Sequence, residues 1–399
     1  MAELNWARNV TYRAKTIHRP TEVGHLQELV ARTPRIRALG TRHAFNKIAD
    51  TTEDLVSVAG LPQVMEIENG RVRVTAGLKY ADINPHLERY ALPNLASLPH
   101  ISVAGACATA THGSGTGSLS TAVSGLEIVT ADGELRTIER GDPDFDGAVV
   151  NLGALGIVTA VTLDLVPYFE IRQYVYEGLS LTEDLLAILH SAYSVSFFTD
   201  WSSDRITQVW VKERTTDPHV DIPATPADGP RHPVAGMPAE NCTQQMGVPG
   251  PWYARLPHFR PEFTPSAGDE LQAEFMVAKE NAVDALHAIN EIRDQIHPVL
   301  HISEVRTIKA DALWLSPFYH RDTVSIHFTL HSDADRVLPV IELIERRLRP
   351  FDPKPHWAKL FTRTCDYERG ADFKALAARW DPEGKFGNEF TKQFIAVGN

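Results

Sequence analysis

The chain has 399 residues, 43% hydrophobic and 23% charged, too long for one ordinary small domain and rich enough in apolar residues for large cores. A net charge of −12 argues against a nucleic-acid partner, which needs a basic surface for phosphates. Cys107, Cys242 and Cys365 show no CxxC spacing and cannot all pair, which fits a reducing compartment. With no signal-peptide core near the N-terminus and no run of about 18 apolar residues, the sequence reads as a soluble, cytoplasmic protein with no membrane partner.

In chain order, "HRPTEVGHLQELVART" predicts a helix with Thr21 as its N-cap and Leu26, Leu29 and Val30 on its buried face. "IRALG" reads as a short buried strand ending at Gly40, and "RVRVTAG" as another. "YADINPHLERYAL" reads as a helix with Pro85 in its first turn. In "LEIVTADGELRTI" the Asp132–Gly133 pair between alternating apolar runs predicts a hairpin. "LGALGIVTAVTLDLVP" reads as a glycine-bounded turn feeding a long strand. From about 215 to 265, Pro, Gly and Asp dominate, and the aromatic residues near the end of this stretch mark an ordered surface loop rather than a linker. After 270 the alternation resumes: strand "ELQAEFMV", helix "AVDALHAINEIRDQI", strands "ISEVRTI" and "VSIHFTL", and helix "VLPVIELIERRL". This pattern predicts a second α+β domain.

Several stretches carry candidate chemistry. "RALGTRHAFN" sets His43 among small residues just after a strand, where it could be a loop residue, a metal ligand, an acid or base, or an anchor. Between Ser102 and Ser118 nearly every residue is small, so backbone N–H groups can approach a phosphate-bearing ligand closely; the bland alternative is a flexible surface loop. The run is neither a P-loop nor a GxGxxG turn. Two such loops about 60 positions apart could enclose a long diphosphate from both sides. "LPNLASLP" holds Ala96 and Ser97 between two prolines. "SEVRT" puts Glu304 and Arg306 on one face of a strand, where a surface ion pair is the ordinary reading. "HFT" repeats the spacing with His327 and Thr329, and "PHWAKL" adds His356 and Lys359 beside Trp357. If these residues converge, they form a polar pocket for a polyhydroxylated ligand, with a desolvated lysine able to act as a base. No spacing among the 17 histidines recommends a metal site.

Taken together, "RALGTRHAFN", "LPNLASLPHISVAGACATATHGSG", "LGALGIVTAVTLDL", "EVRT", "HFT", "HWAK" and "DPEGKFGNEF" resemble the alditol (xylitol) oxidases, FAD flavoproteins of the vanillyl-alcohol-oxidase type. "NWARNVTY", "SVSFFTDW" and "NCTQQMGVPGPW" look like the same subfamily. Where the family loop usually reads glycine, histidine, serine, this chain has Arg42, His43 and Ala44.

The resemblance implies an α+β flavoprotein with an FAD-binding (PCMH-type) domain at 1–170, completed by 357–399, and a mixed-sheet substrate cap at 171–356. It implies a covalent bond from His43 to the 8α-methyl of the flavin. Gly40, Thr41, Arg42, His43, Ala44 and Phe45 would wrap the cofactor with Ser102, Gly105, Ala106, Cys107, Ala108 and Thr109. Ser97, His112 and His356 would touch it too, and Gly156, Ile157 and Val158 would meet its nucleotide end. Ser97, Glu304, Arg306, Thr329 and Lys359 form the implied substrate set, with Lys359, Arg306 and His327 as the catalytic group. Ala96 would leave dioxygen a route. The implied activity is oxidation of a terminal alcohol of a polyol such as xylitol, sorbitol or glycerol, by a monomer, with O2 reduced to H2O2. A sugar-lactone oxidase or dehydrogenase is the rival reading, and a non-redox sugar-binding protein the reading of another class.

Overall fold

Three main sheets organise the chain in a computed structural model that describes residues 3–395. The first is a small parallel sheet in which Asp54–Val56 lies between Thr16–His18 and Ile36–Ala38. The second is a five-stranded antiparallel sheet in the order 65–68, 71–75, 157–164, 123–129 and 135–139. The Asp132–Gly133 hairpin closes it as its sequence predicts, and the long strand Ile157–Asp164 follows its glycine turn.

The third is a nine-stranded antiparallel sheet drawn from residues 170–355. At its centre Thr323–His331 pairs with Leu300–Ile308 on one side and with Glu270–Ala278 on the other. Side chains alternate across a strand, so each of these three has two faces. Leu271, Ala273, Phe275, Val305, Val324, Ile326 and Phe328 pack with the helices Ala282–Asn290 and Ala334–Leu348 in one apolar core. The opposite face is left for polar residues.

The C-terminal stretch returns to the N-terminal half. Asn388 donates to the carbonyls of Lys47, Ile48 and Asp50, Arg37 donates to that of Phe386, and Lys385 donates to those of Val30 and Ala131. Residues 396–399 of the expected return lie outside the described residues.

Local chemistry corrects several expectations. The first helix is Val23–Arg32, capped by extended Glu22 with no side-chain bond, so Thr21 is not its N-cap; Leu26, Leu29 and Val30 are its buried residues. Pro85 does not open a long helix. The helix Tyr80–Ile83 passes into a 3₁₀ turn at Asn84–His86, and Tyr90–Ala91 is extended. Pro85 lacks an N–H and cannot continue the α-helical ladder. The small-residue run is not all loop, because Val103–Ala108 forms a short helix with Ser102 at its N-cap. The stretch 282–296 breaks into two helices, Ala282–Asn290 and Arg293–Ile296. The 215–265 excursion is ordered, but it is more than surface: Cys242, Trp252, His258 and Phe259 are buried.

Candidate active site

The polar face of the three central strands is where the sequence motifs meet. Register sets Glu304 beside His327, which faces Glu274 on its other side, while Gln272 pairs with Thr329. Glu304 and Arg306 are each only 5% exposed, so the surface ion pair of the ordinary reading is ruled out. Both border a cavity of about 730 Å³, within the size range of ligand sites. Ser97, His327, Thr329, His356 and Lys359 border the same cavity.

Arg306 is clamped from several directions. One Nη donates to Glu274 Oε1 at 2.6 Å, and the other to Ser97 Oγ at 3.2 Å and the His112 carbonyl at 3.4 Å. Its Nε lies 3.6 Å from Glu304 Oε1 and is buried without a hydrogen-bond partner. Burial, the largest single effect, works to raise the Glu304 and Glu274 carboxyls, but Arg306 together with the contact from His258 at Glu304 and from His112 at Glu274 outweighs it. Both acids are held well below the usual carboxylate range.

A second network fixes His327. The Gln272 amide nitrogen donates to Glu270, so its oxygen faces Lys359 and His327 and accepts from both. His327 Nε2, 3.1 Å from that oxygen, therefore carries the ring proton. Its Nδ1 is a buried lone pair with no partner. Burial lowers the His327 pKa to about 3 and that of Lys359 to about 8. The Lys359 ammonium also lies 4.7 Å from the centre of the Phe45 ring.

At the other end of the cavity, the loop carrying His43 is held by the N-terminal segment. Trp6 N–H donates to the Arg42 carbonyl, Asn5 to that of Ala44 and Asn9 to that of Phe45. The Trp6 indole stacks on the His43 ring with centroids 5.9 Å apart. Arg42 has a φ of +66°, a backbone region that favours the glycine usual in the family loop. Its guanidinium pairs with Glu3 at the rim. Burial first, and His100 and Lys359 after it, lower the His43 pKa to about 4, and its Nδ1 is buried without a partner. The neutral imidazole borders the cavity, and among the described residues its Nδ1 finds no hydrogen-bond partner.

The residues expected to wrap a flavin lie along this same cavity. Gly40 to Phe45, Ser102, Gly105, Ala106, Ala108, Thr109, His112, Gly156, Ile157, Val158 and Ala96 all border it. Cys107 does not: its thiol packs inward, 3.6 Å from the Tyr80 hydroxyl. In the helix Val103–Ala108 it takes the buried side while Gly105 and Ala108 take the cavity side. The glycines keep the cradle open. A Cβ on Gly40 or Gly105 would come within 3.1 Å or 2.9 Å of Ser102 Oγ. Gly156, with φ +148°, lies where a Cβ would meet the Val129 carbonyl at 2.5 Å. These small walls and the orphaned imidazole fit an FAD.

Four polar residues at the site have no counterpart in the sequence motifs. Glu274 and Gln272 were legible in principle: "ELQAEF" alternates Glu270, Gln272 and Glu274 with apolar residues, which marks one strand face as polar. His258 bonds Glu304 from inside the irregular excursion, and Lys212 bonds His258 from a neighbouring strand. Neither has a local signal. Ligand atoms of His112, Glu274 and His356 come within 4.8 Å of one another, a trio that sequence spacing does not reveal. Its carboxylate is already paired with Arg306, a fixed cation that opposes a metal ion there.

Comparison with known proteins decides the family. The chain is 49% identical, over 99% of both chains, to an alditol oxidase of Streptomyces sp. (strain IKD472 / FERM P-14339). The chain belongs to the alditol oxidase family. As in that family, it is an FAD-linked oxidase: residues 14–139 match the sequence family described as "FAD binding domain". Residues 269–394, which carry Glu304, Arg306, His327 and Lys359, match the family described as "D-arabinono-1,4-lactone oxidase". A more distant relative is the L-gulono-1,4-lactone dehydrogenase of Mycobacterium tuberculosis (strain ATCC 25618 / H37Rv), 28% identical over 98% of each chain. Among solved structures, a solvent-stable cholesterol oxidase superposes with a TM-score of 0.80 at 15% identity, covering 99% of this chain and 97% of its own. That likeness shows the shared fold of an FAD-binding domain with a cap. Among the described residues no helix is long and apolar enough to cross a membrane.

Proposed function

We propose that the chain oxidises a terminal alcohol of an alditol such as xylitol, sorbitol or glycerol to the aldose, with FAD held covalently through His43. The observation that carries this reading is the convergence of His43, Arg306 and His327 on one cavity, each with a buried polar atom that finds no hydrogen-bond partner. Buried polar groups are almost always satisfied, so a set of orphans around one cavity calls for a polar ligand. The bound flavin supplies the hydride acceptor and passes the electrons to dioxygen, giving hydrogen peroxide.

The protein's part is to bind the polyol and move one proton. Glu304 accepts from a substrate hydroxyl, Thr329 holds another, and Arg306 and Ser97 sit beside the reacting oxygen. His327 stays neutral at working pH and accepts a hydrogen bond at Nδ1 without taking the proton. Lys359, with its pKa near 8, is the group poised to take it. Ammonium and guanidinium then stabilise the negative charge that develops beside them. Small Ala96 leaves oxygen a route along the cavity wall.

The test is direct. Anaerobic xylitol is expected to bleach the flavin, and air to restore it with one hydrogen peroxide per turnover. The colour should stay with acid-precipitated protein and be lost to the supernatant in His43→Ala. Flavin wholly in the wild-type supernatant would refute the covalent bond, and no bleaching by any alditol would refute the substrate class.

A further inference from the structure

Lys212 lies on the strand Arg205–Arg214, two strands from the one bearing Glu304, and is 1% exposed. Among the described residues no carboxylate lies within ion-pair distance of it. Its three ammonium protons go to the Leu256 carbonyl, the Pro257 carbonyl at 3.2 Å and His258 Nδ1 at 3.0 Å. The other ring nitrogen, His258 Nε2, lies 2.7 Å from Glu304 Oε1. Trp210 and Phe198 pack edge-on against the ring with centroids 5.3 Å and 5.4 Å away.

These contacts fix the direction of every hydrogen bond. Burial lowers the Lys212 pKa to about 7, and in the ammonium form below that pH it has donors only, so His258 Nδ1 must accept. The ring proton is then on Nε2 and is donated to Glu304. Arg306, with its Nε 3.6 Å from Oε1, holds Glu304 ionised, so the chain runs one way, from the Lys212 ammonium through neutral His258 to a carboxylate. Arg306 on the far side adds its charge to the same oxygen. No described residue donates a hydrogen bond to Glu304 Oε2.

We propose that Lys212 and His258 are positioning residues for substrate selection: they lock Glu304 as a hydrogen-bond acceptor, so the site favours substrates that bring a second hydroxyl to donate. The inference rests on the polyol reading of this cavity. It gives a reason for burying a lysine without an ion-pair partner, which costs stability. Without the ammonium, His258 is free to take the other tautomer and turn a lone pair toward Glu304.

The experiment compares anaerobic flavin reduction by xylitol with reduction by 1-pentanol, the same carbon chain with one hydroxyl. In Lys212→Met and His258→Phe, kcat/KM for xylitol is expected to fall at least about 10-fold through KM, the scale of one hydrogen bond to a charged group, while 1-pentanol changes little. His258→Gln, which can still accept from Lys212 and donate to Glu304, should recover most of the loss. Equal losses on both substrates, or a His258→Gln no better than His258→Phe, would overturn the proposal. If Lys212→Met or His258→Phe fails to fold, the wild-type holoenzyme decides through ¹⁵N-histidine spectra. The imidazole missing from His258→Gln should be protonated at Nε2 and unchanged from pH 5 to 7, where Lys212 is the ammonium, and an Nδ1-protonated or titrating ring in that range sinks the idea. A wild type with no preference for xylitol over 1-pentanol would overturn the polyol reading instead, with the tautomer lock judged separately by the spectra.

Discussion

Arg306 and Glu274 sit on strands separated by a third, and their side chains meet across it at 2.6 Å. The contact is buried on both sides and aims the guanidinium that also reaches Ser97. Removing one member of a buried ion pair leaves the other charge uncompensated. Glu274→Gln keeps an acceptor but not the charge. It should lower unfolding free energy by about 3 kcal/mol, the lower end for a broken buried pair, read from a urea midpoint at unchanged slope. Flavin reduction should slow at least about 10-fold, because Arg306 loses the partner that orients it. Wild-type stability and rate in this variant would mean that Glu304 alone holds Arg306.

Sequence periodicity reached this arrangement only in part, and the residues show why. Glu304, Arg306, His327 and Thr329 were readable because a strand puts i and i+2 on one face, and two neighbouring strands carried the pattern. Lys359 and His356 were readable as a motif, but their convergence depends on the backbone pairing of Pro355 with Phe275. His258 and Lys212 were invisible. One lies in a loop with no period, and the other looks like an ordinary charged residue on an amphipathic strand. Local rules failed at Thr21 and Pro85, where helix starts were assigned by residue type and the chain's path decided otherwise. The anchor loop was legible through its small residues, but the Trp6 stack and the Asn5 and Asn9 hydrogen bonds come from a segment about 40 residues away.

Lys359 makes the pH prediction. Burial lowers its pKa from the ordinary 10.5 to about 8, so the neutral amine becomes the main form above that pH. A base acts in its unprotonated form. The rate of flavin reduction by xylitol should therefore rise with pH and level off above about 8, and Lys359→Met should run at least about 100-fold slower with no step there. A rate that falls through pH 8 would mean that the ammonium is the active form. Stability has its own sign. Between about pH 8 and 10.5 the unfolded chain holds this proton and the folded chain does not, so this lysine's contribution raises stability with pH. Lys359→Met should remove that rise from the difference between the two melting curves.

Arg306→Ala gives the complementary test of the charged pair at the reacting oxygen. It removes the guanidinium beside Ser97 and leaves Glu274 and Glu304 facing each other without their shared cation. Flavin reduction by xylitol should fall at least about 100-fold, the scale for losing a positioned electrostatic group. Stopped-flow reduction near the wild-type rate would remove Arg306 from the chemistry.

The segment that braces the His43 loop predicts an effect on cofactor attachment. Trp6 stacks on the imidazole, and Asn5 binds the Ala44 carbonyl at 2.9 Å. Trp6→Ala and Asn5→Ala should leave FAD bound but lower the fraction that stays with acid-precipitated protein, because the nucleophile is no longer held in one orientation. The measurement is flavin absorbance in pellet and supernatant after equal times of reconstitution with FAD. Full attachment at the wild-type rate in both variants would show that the loop holds its shape without them.

A substitution at Ala96 can separate the two halves of the proposed cycle. It borders the cavity one residue before Ser97, whose hydroxyl accepts from Arg306. It is 7% exposed and sits in a packed wall, where a few added carbons cannot be absorbed without displacing neighbours. On the proposed reading, flavin reduction depends on Glu304, Arg306, Thr329 and Lys359, whereas reoxidation depends on oxygen reaching the ring edge. If oxygen passes Ala96, then Ala96→Leu should slow reoxidation of the substrate-free reduced enzyme by air, followed at 450 nm. Anaerobic reduction should slow less, with some loss of substrate affinity through Ser97. Equal slowing of both steps would point to a general distortion of the wall, and unchanged reoxidation would place the oxygen route elsewhere.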